Sequence, residues 1–252
     1  MSVFLPDEQE TVLRERFFAV CSRLEKAAAY SGRSMADIRL VAVSKTHPAS
    51  MVAALAAMWK STNAVFGENY VQEALDKKAA VASLLLQTPE TAPPEWHFIG
   101  HIQSRKAKDV TGRFTLIHTV DSEKILGQIQ KTVQQEKMPT QNVLIQINIG
   151  EEEQKSGVSS SEAEQLITTA LTMPELAVQG LMCLPPFFSE SEKSRPYFAK
   201  LRKIRDGLSS RTGLSLHHLS MGMSHDFEVA VEEGATLIRV GSNIFGMRPA
   251  KE

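Results

Sequence analysis

Cysteine is nearly missing from this sequence. Cys21 and Cys183 are the two thiols in 252 residues, too few for a disulfide framework and suited to a reducing compartment. A surplus of one charge is missing as well. Lys and Arg number 28 against 29 Asp and Glu, a net charge of −1, so nothing points to nucleic acid or an anionic membrane. No apolar run approaches the length of a membrane span. The opening MSVFLPDEQE turns acidic at once, unlike a secretory signal. These absences lead to the expectation of a cytoplasmic protein. Familiar signatures are also lacking: no Walker A loop, no G-x-G-x-x-G, no H-E-x-x-H and no G-x-S-x-G. His97 and His101 are four apart, but Gly100 and a strand-to-loop context spoil a helical zinc pair. Cys183 follows a strand-like run and reads as a small buried hydrophobe, not a nucleophile.

What is present is alternation. Hydrophobic residues make up 42% and charged residues 23%, ordinary for a globular protein. An amphipathic helix is expected over 7–30, closed by Ser31 and Gly32. Strand-like runs follow at 38–44, 64–67, 97–100, 116–120, 143–149, 177–183, 216–220 and 236–240. Helical stretches lie between them at 49–59, 69–86, 122–135, 160–171 and 195–209. Strands alternating with helices, without hairpin signals, imply a parallel sheet. Runs such as LVAV and VLIQINI are apolar throughout, as in strands covered on both faces. Eight such units in this length favour an α/β fold of one closed (β/α)8 TIM-type barrel with an extra N-terminal helix. An open doubly wound sheet is the runner-up. The Pro-rich stretch 87–95 reads as a loop, so residues 1–252 are expected to form a single domain.

In such a barrel the active site sits where the strands end. The first strand ends on Lys45, the second on Gly67-Glu68-Asn69-Tyr70, the third on Gly100-His101 and the fifth near Asn148. The seventh ends on Ser220-Met221-Gly222-Met223-Ser224, the eighth on Arg239-Val240-Gly241-Ser242. Val41, Val43 and Lys45 share one face of their strand. If Val43 packs the interior, Lys45 reaches the barrel mouth, where partial desolvation would supply the neutral amine that carbonyl attack requires. Taken alone, the segment favours a solvated lysine. Leu237, Arg239 and Gly241 likewise share a face, and an arginine inside a barrel needs an acceptor. A ligand or a strand-end carboxylate such as Glu68 or Asp121 would serve equally. Gly222, Gly241 and Ser224, the last expected to open a helix over 226–233, suggest an anion site. Ser224 as a simple helix cap is the other reading.

These strand ends carry a resemblance. VAVSKTHP (41–48), FGENYVQE (66–73) and WHFIGHIQSRK (96–106) come in order. HTVDS (118–122), VLIQINI (143–149), QKSGV (154–158), GLMCLPP (180–186) and LSMGMSHDFEVAVEEGATLIRVGSNIFG (219–246) follow. Together they closely resemble the pyridoxal-phosphate homeostasis protein family, whose members share the barrel of the alanine racemase N-terminal domain. The resemblance implies that pyridoxal 5′-phosphate (PLP) is the cofactor and that Lys45 holds it as an aldimine. It puts Asn69 near the ring and its 3-oxygen. Ser220, Gly222, Met223 and Ser224 would surround the phosphate from one side, with Gly241 and Ser242 on the other. Arg239 would face the pyridine nitrogen. The third motif departs from the family's common G-P-L-Q-x-N-K, with His101 and Arg105 as the odd residues.

Binding a cofactor does not make a catalyst. An arginine at the ring nitrogen cannot give up its proton, so the ring stays a weaker electron sink. Alanine racemase works with that handicap, but a second domain helps complete its site. This chain stops a few residues past the last barrel motif, which would leave no room for one. A PLP carrier is therefore expected, with enzymes that lack their PLP as recipients and without strong catalysis of its own. The alternatives are a PLP-dependent amino-acid enzyme such as a weak racemase, and a Schiff-base aldolase using Lys45. Lys155, in the loop 150–158, reads as a solvated lysine beside Glu151, Glu152 and Glu153, or as an amine that helps the cofactor enter and leave.

Overall fold

The computed structural model describes residues 4–59 and 63–247. Among them the sheet is a closed barrel of parallel strands in sequence order. These are β1 (Arg39–Val43), β2 (Val65–Glu68), β3 (Glu95–Phe98), β4 (Leu116–Val120), β5 (Gln141–Ile147), β6 (Leu176–Cys183), β7 (His218–Met223) and β8 (Leu237–Val240). β8 pairs with β1 and closes the ring. Around it run α1 (Asp7–Tyr30), α2 (Ala49–Met58), α3 (Val71–Leu85), α4 (Ala107–Val110) and α5 (Glu123–Glu136). They continue with α6 (Ser160–Leu171), α7 (Arg195–Thr212), α8 (Phe227–Glu232) and α9 (Ser242–Phe245). This is the expected (β/α)8 barrel with its extra N-terminal helix.

Two apolar layers explain the unbroken hydrophobic strands. Val41, Val65, Leu116, Leu144, Met182 and Leu237 fill the barrel interior. Their neighbours in sequence, among them Ala42, Phe66, Ile117, Ile145 and Ile238, pack outward against the helices. Alternation thus divides each strand between two buried environments. On α1 the residues Leu13, Phe17, Val20, Leu24 and Ala28 recur at helical spacing and are buried. That face covers α8 and α9, beside the ends of β7 and β8. α6 is started by a reciprocal capping box between Ser159 and Glu162, and α7 is ended by Gly213 in the left-handed region.

Three strands are displaced from their expected bounds: β5, which runs Gln141–Ile147 against the expected 143–149, and β3 and β7. β3 begins at Glu95, whose N–H donates to the Ala64 carbonyl and whose carboxylate pairs with Arg39 at 2.8 Å. It therefore ends at Phe98, and Ile99–Gly100–His101 form the loop. β7 runs on to Met223 through a register shift between Ser220 and Met223, the kind of irregularity that redirects a strand end. None of the helices among the described residues is long and apolar enough to cross a membrane.

Candidate functional site

A cavity of ≈ 390 Å³ opens at the C-terminal ends of the strands, a size typical of small-molecule sites. Val43 and Lys45 line it from β1, Asn69 from the end of β2, and Arg239, Gly241 and Ser242 from β8 and its following turn. Met223 and Ser224 line it from the end of β7. Seven of the nine residues singled out in the sequence therefore meet around one space. Ser220 and Gly222 do not line it. Both stand one layer back.

Lys45 is presented by a tight turn. The Ser44 carbonyl accepts the His47 N–H at 3.1 Å, and Thr46 has φ 67°, a conformation that favours glycine. Val41 belongs to the inner layer, so the alternation that carries Val43 and Lys45 to the cavity is that read from the sequence. Next to them, Gly100 allows the β3 loop to pass over Asn69. A Cβ there would lie 2.1 Å from the Asn69 carbonyl oxygen. Asn69 Oδ1 is buried and has no hydrogen-bond partner among the described residues. An orphaned acceptor in a cavity wall costs free energy unless a donor arrives.

Arg239 is 4% exposed and pairs with neither carboxylate considered for it. Glu68 is engaged by Ser44 and Lys77, and Asp121 accepts the Gly157 N–H. Arg239 donates instead to Ser220 Oγ at 2.5 Å and to the Cys183 carbonyl at 3.0 Å. Burial pulls its pKa down, opposed by Cys183 and Asp226, yet a guanidinium stays charged.

Behind Arg239 runs a buried chain that the sequence did not reveal. Ser220 Oγ lies 2.8 Å from His118 Nδ1, and His118 Nε2 lies 3.0 Å from His97 Nδ1. Arg239 can only donate, so Ser220 accepts from it and sends its own proton to His118 Nδ1. The opposite tautomer would leave the Ser220 proton without an acceptor. His118 therefore carries its proton on Nε2 and donates to His97. Both imidazoles are neutral. Burial drives His97 down to about 3 and His118 well below its ordinary value. Ser220 thus acts on the cavity through Arg239.

The reading of Ser224 as a helix cap needs a correction. Its hydroxyl accepts the Gly241 N–H at 3.2 Å and does not cap α8. Asp226 occupies the N-cap position, and its Oδ1 accepts the Met223 N–H at 2.8 Å. The Ser224 carbonyl also takes the Asn243 side-chain amide at 2.7 Å. These bonds join the ends of β7 and β8 into one rim. Gly222 supports the rim from behind: at φ +87°, a Cβ would sit 2.5 Å from Ala230 Cβ on α8.

The remaining walls were given no site role in the sequence. Met182 of β6 and residues 184–188 after it line one side, and His47, Ile99, His225, Asp226 and Gly246 complete the lining. The LPPFF run carries no chemical signal, whereas His47 could have been noticed from its place two residues after Lys45. His47 stacks on Phe245, ring centres 5.0 Å apart. Lys155 lies at the rim, its Nζ 2.6 Å from Glu152 Oε1 and 3.2 Å from the Pro185 carbonyl. His101 is exposed and its Nδ1 meets Ser156 Oγ at 3.0 Å. Cys183 is fully buried, its thiol pushed up to about 12 by desolvation, as a packing residue requires.

Comparison with known proteins agrees with this geometry. Residues 21–249 match the family described as alanine racemase, N-terminal domain. The pyridoxal phosphate homeostasis protein of Aquifex aeolicus (strain VF5) is 42% identical over 234 residues, 93% of this chain and 97% of its own. That of Escherichia coli (strain K12) is 38% identical over 229 residues, covering 91% and 94%. Among solved structures, PipY of Synechococcus elongatus PCC7942, determined with PLP bound, is 29% identical. It superposes with a TM-score of 0.73 over 89% of this chain and 100% of its own. With this identity running almost end to end, the chain belongs to the pyridoxal phosphate homeostasis protein family and carries the alanine racemase N-terminal fold.

Proposed function

We propose that this protein binds PLP in the barrel-mouth cavity, holds it through Lys45 and releases it to enzymes that need it, without strong catalysis of its own. The observation that carries the reading is the convergence of an amine, a buried guanidinium and an orphaned amide oxygen on one cavity of ≈ 390 Å³. The residues present fit the cofactor. PLP supplies an aldehyde, which an amine attacks with loss of water. Lys45 provides that amine from its turn. Asn69 would lie beside the ring and its 3-oxygen, where its amide Nδ2 can donate, and its unpartnered Oδ1 leaves an acceptor for another donor of the bound ligand. Gly241, Ser242, Met223 and Ser224 form the rim that takes the phosphate. Arg239 faces the ring nitrogen and donates to it, backed by Ser220. Ser220 and Gly222 support the site from the second layer.

The same arginine argues for carriage over turnover. A permanently protonated donor leaves the ring nitrogen without a proton, so carbanion chemistry has a weaker electron sink. In this reading the whole chain is one domain, it works in the cytoplasm, and its partners are PLP and enzymes lacking PLP. Two assays test it together. Titration with PLP should raise a visible absorbance band at one equivalent, and the loaded protein should reactivate a PLP-depleted enzyme. Steady racemisation or transamination of common amino acids would replace carriage with catalysis.

A further inference from the structure

Lys77 looks in the sequence like a solvated charge on α3, yet it is 6% exposed. Its three ammonium protons all have acceptors. Nζ donates to the Ser44 carbonyl at 2.6 Å, to Glu68 Oε1 at 2.7 Å and to Glu73 Oε1 at 2.8 Å. Glu73 Oε1 in turn accepts the Thr46 N–H at 2.5 Å. Glu68 Oε1 also takes the Ser44 hydroxyl at 2.7 Å. The backbone is thus anchored on both sides of Lys45, at Ser44 directly and at Thr46 through one carboxylate.

The anchored segment is the one that needs it. A β-branched residue at φ 67° persists only where its surroundings over-determine it, and the turn 44–47 has Thr46 where glycine is favoured. We propose that Lys77 is a positioning residue which, with Glu73 and Glu68, locks the strained turn so that the Lys45 amine is held toward the cavity. This rests on the reading of Lys45 as the residue that holds PLP. A purely structural role, in which Lys77 only neutralises the buried Glu68, makes different predictions.

The test uses two variants. Glu73→Ala cuts the Thr46 anchor and leaves the buried Lys77–Glu68 pair. The double variant Lys77→Met, Glu68→Gln removes the ammonium without stranding a buried carboxylate. Each is compared with the wild type in three measurements. Amide exchange of Thr46 is followed in the protein without cofactor. Affinity for pyridoxine 5′-phosphate, which has no aldehyde, reads the cavity alone. The rate at which PLP raises the visible band reads the delivery of the amine. We expect Thr46 exchange to rise at least tenfold in both variants, with β1 still protected. Pyridoxine 5′-phosphate affinity should stay within about threefold, while band formation slows at least tenfold. Unchanged Thr46 protection, an unchanged rate, or a rate that falls only in step with pyridoxine 5′-phosphate affinity would overturn the proposal. If the wild type binds pyridoxine 5′-phosphate but gives no band with PLP, the role of Lys45 fails instead, and Thr46 exchange alone decides the clamp.

Discussion

Acid should unfold this protein through the histidine chain beneath Arg239, and the size of the effect can be worked out. The His97 pKa falls from 6.5 to about 3 because burial penalises the charged ring. A folded pKa below the unfolded one gives stability that is fully present above 6.5 and is lost as pH falls toward 3. Each pH unit in that window is worth about 1.4 kcal/mol for one group. At pH 5, about 1.5 units below the unfolded pKa, His97 alone has lost about 2 kcal/mol of its contribution. His118 shifts the same way and adds to the loss. Burial raises Glu68 and Asp121, so their stability is present at low pH and falls as pH rises, opposing the histidines. A His97→Gln variant keeps both carboxyls, and their effects cancel in the difference. Urea unfolding at about pH 7 and pH 5 should show the wild type losing about 2 kcal/mol more than the variant. Parallel losses in the two proteins would mean that His97 is not held neutral in the fold.

Arg239→Gln removes a charge-assisted donor worth about 1.5–3 kcal/mol, so PLP affinity measured by equilibrium dialysis should fall roughly ten- to a hundredfold. The protein without cofactor should lose no more than about 1–3 kcal/mol in urea unfolding, the cost of the Arg239 bonds to Ser220 Oγ and the Cys183 carbonyl, because no ion pair is broken among the described residues. Gly222→Ala should cost about 1–3 kcal/mol in urea unfolding, from the crowding against Ala230, and the positive φ adds to it. Lys155→Ala should keep the visible band but slow PLP transfer to a PLP-depleted enzyme; unaltered transfer would return Lys155 to the solvent.

Much of the fold was legible because the signal is local. Both apolar layers of the barrel leave continuous hydrophobic runs, and α1 and α6 have the ends expected from their periodicity and closing residues. α4 and α9, at four residues each, are too short to show a period. The start of β3 was hidden because Glu95 is placed by pairing with β2 and Arg39, not by its own propensity. At the site, alternation along β1 and β8 put Lys45 and Arg239 on the faces that reach the cavity, but choosing them over a solvated lysine and an ion-paired arginine took the family resemblance. Contacts distant in sequence were not legible. The cap reading offered for Ser224 failed because its partner, Gly241, lies at the end of the next strand. Lys77 and His118 look ordinary until α3 meets the turn of Lys45 and β4 meets β7.

The central claim is that Lys45 is the residue through which this protein holds PLP. Borohydride reduction of the PLP-loaded protein, followed by proteolysis and mass spectrometry, tests it most directly. One pyridoxyl group per chain is expected on the peptide carrying Lys45, and a folded Lys45→Ala variant should lack the visible band. A label found mainly on Lys155 or another lysine, or a band that persists in Lys45→Ala, would contradict it.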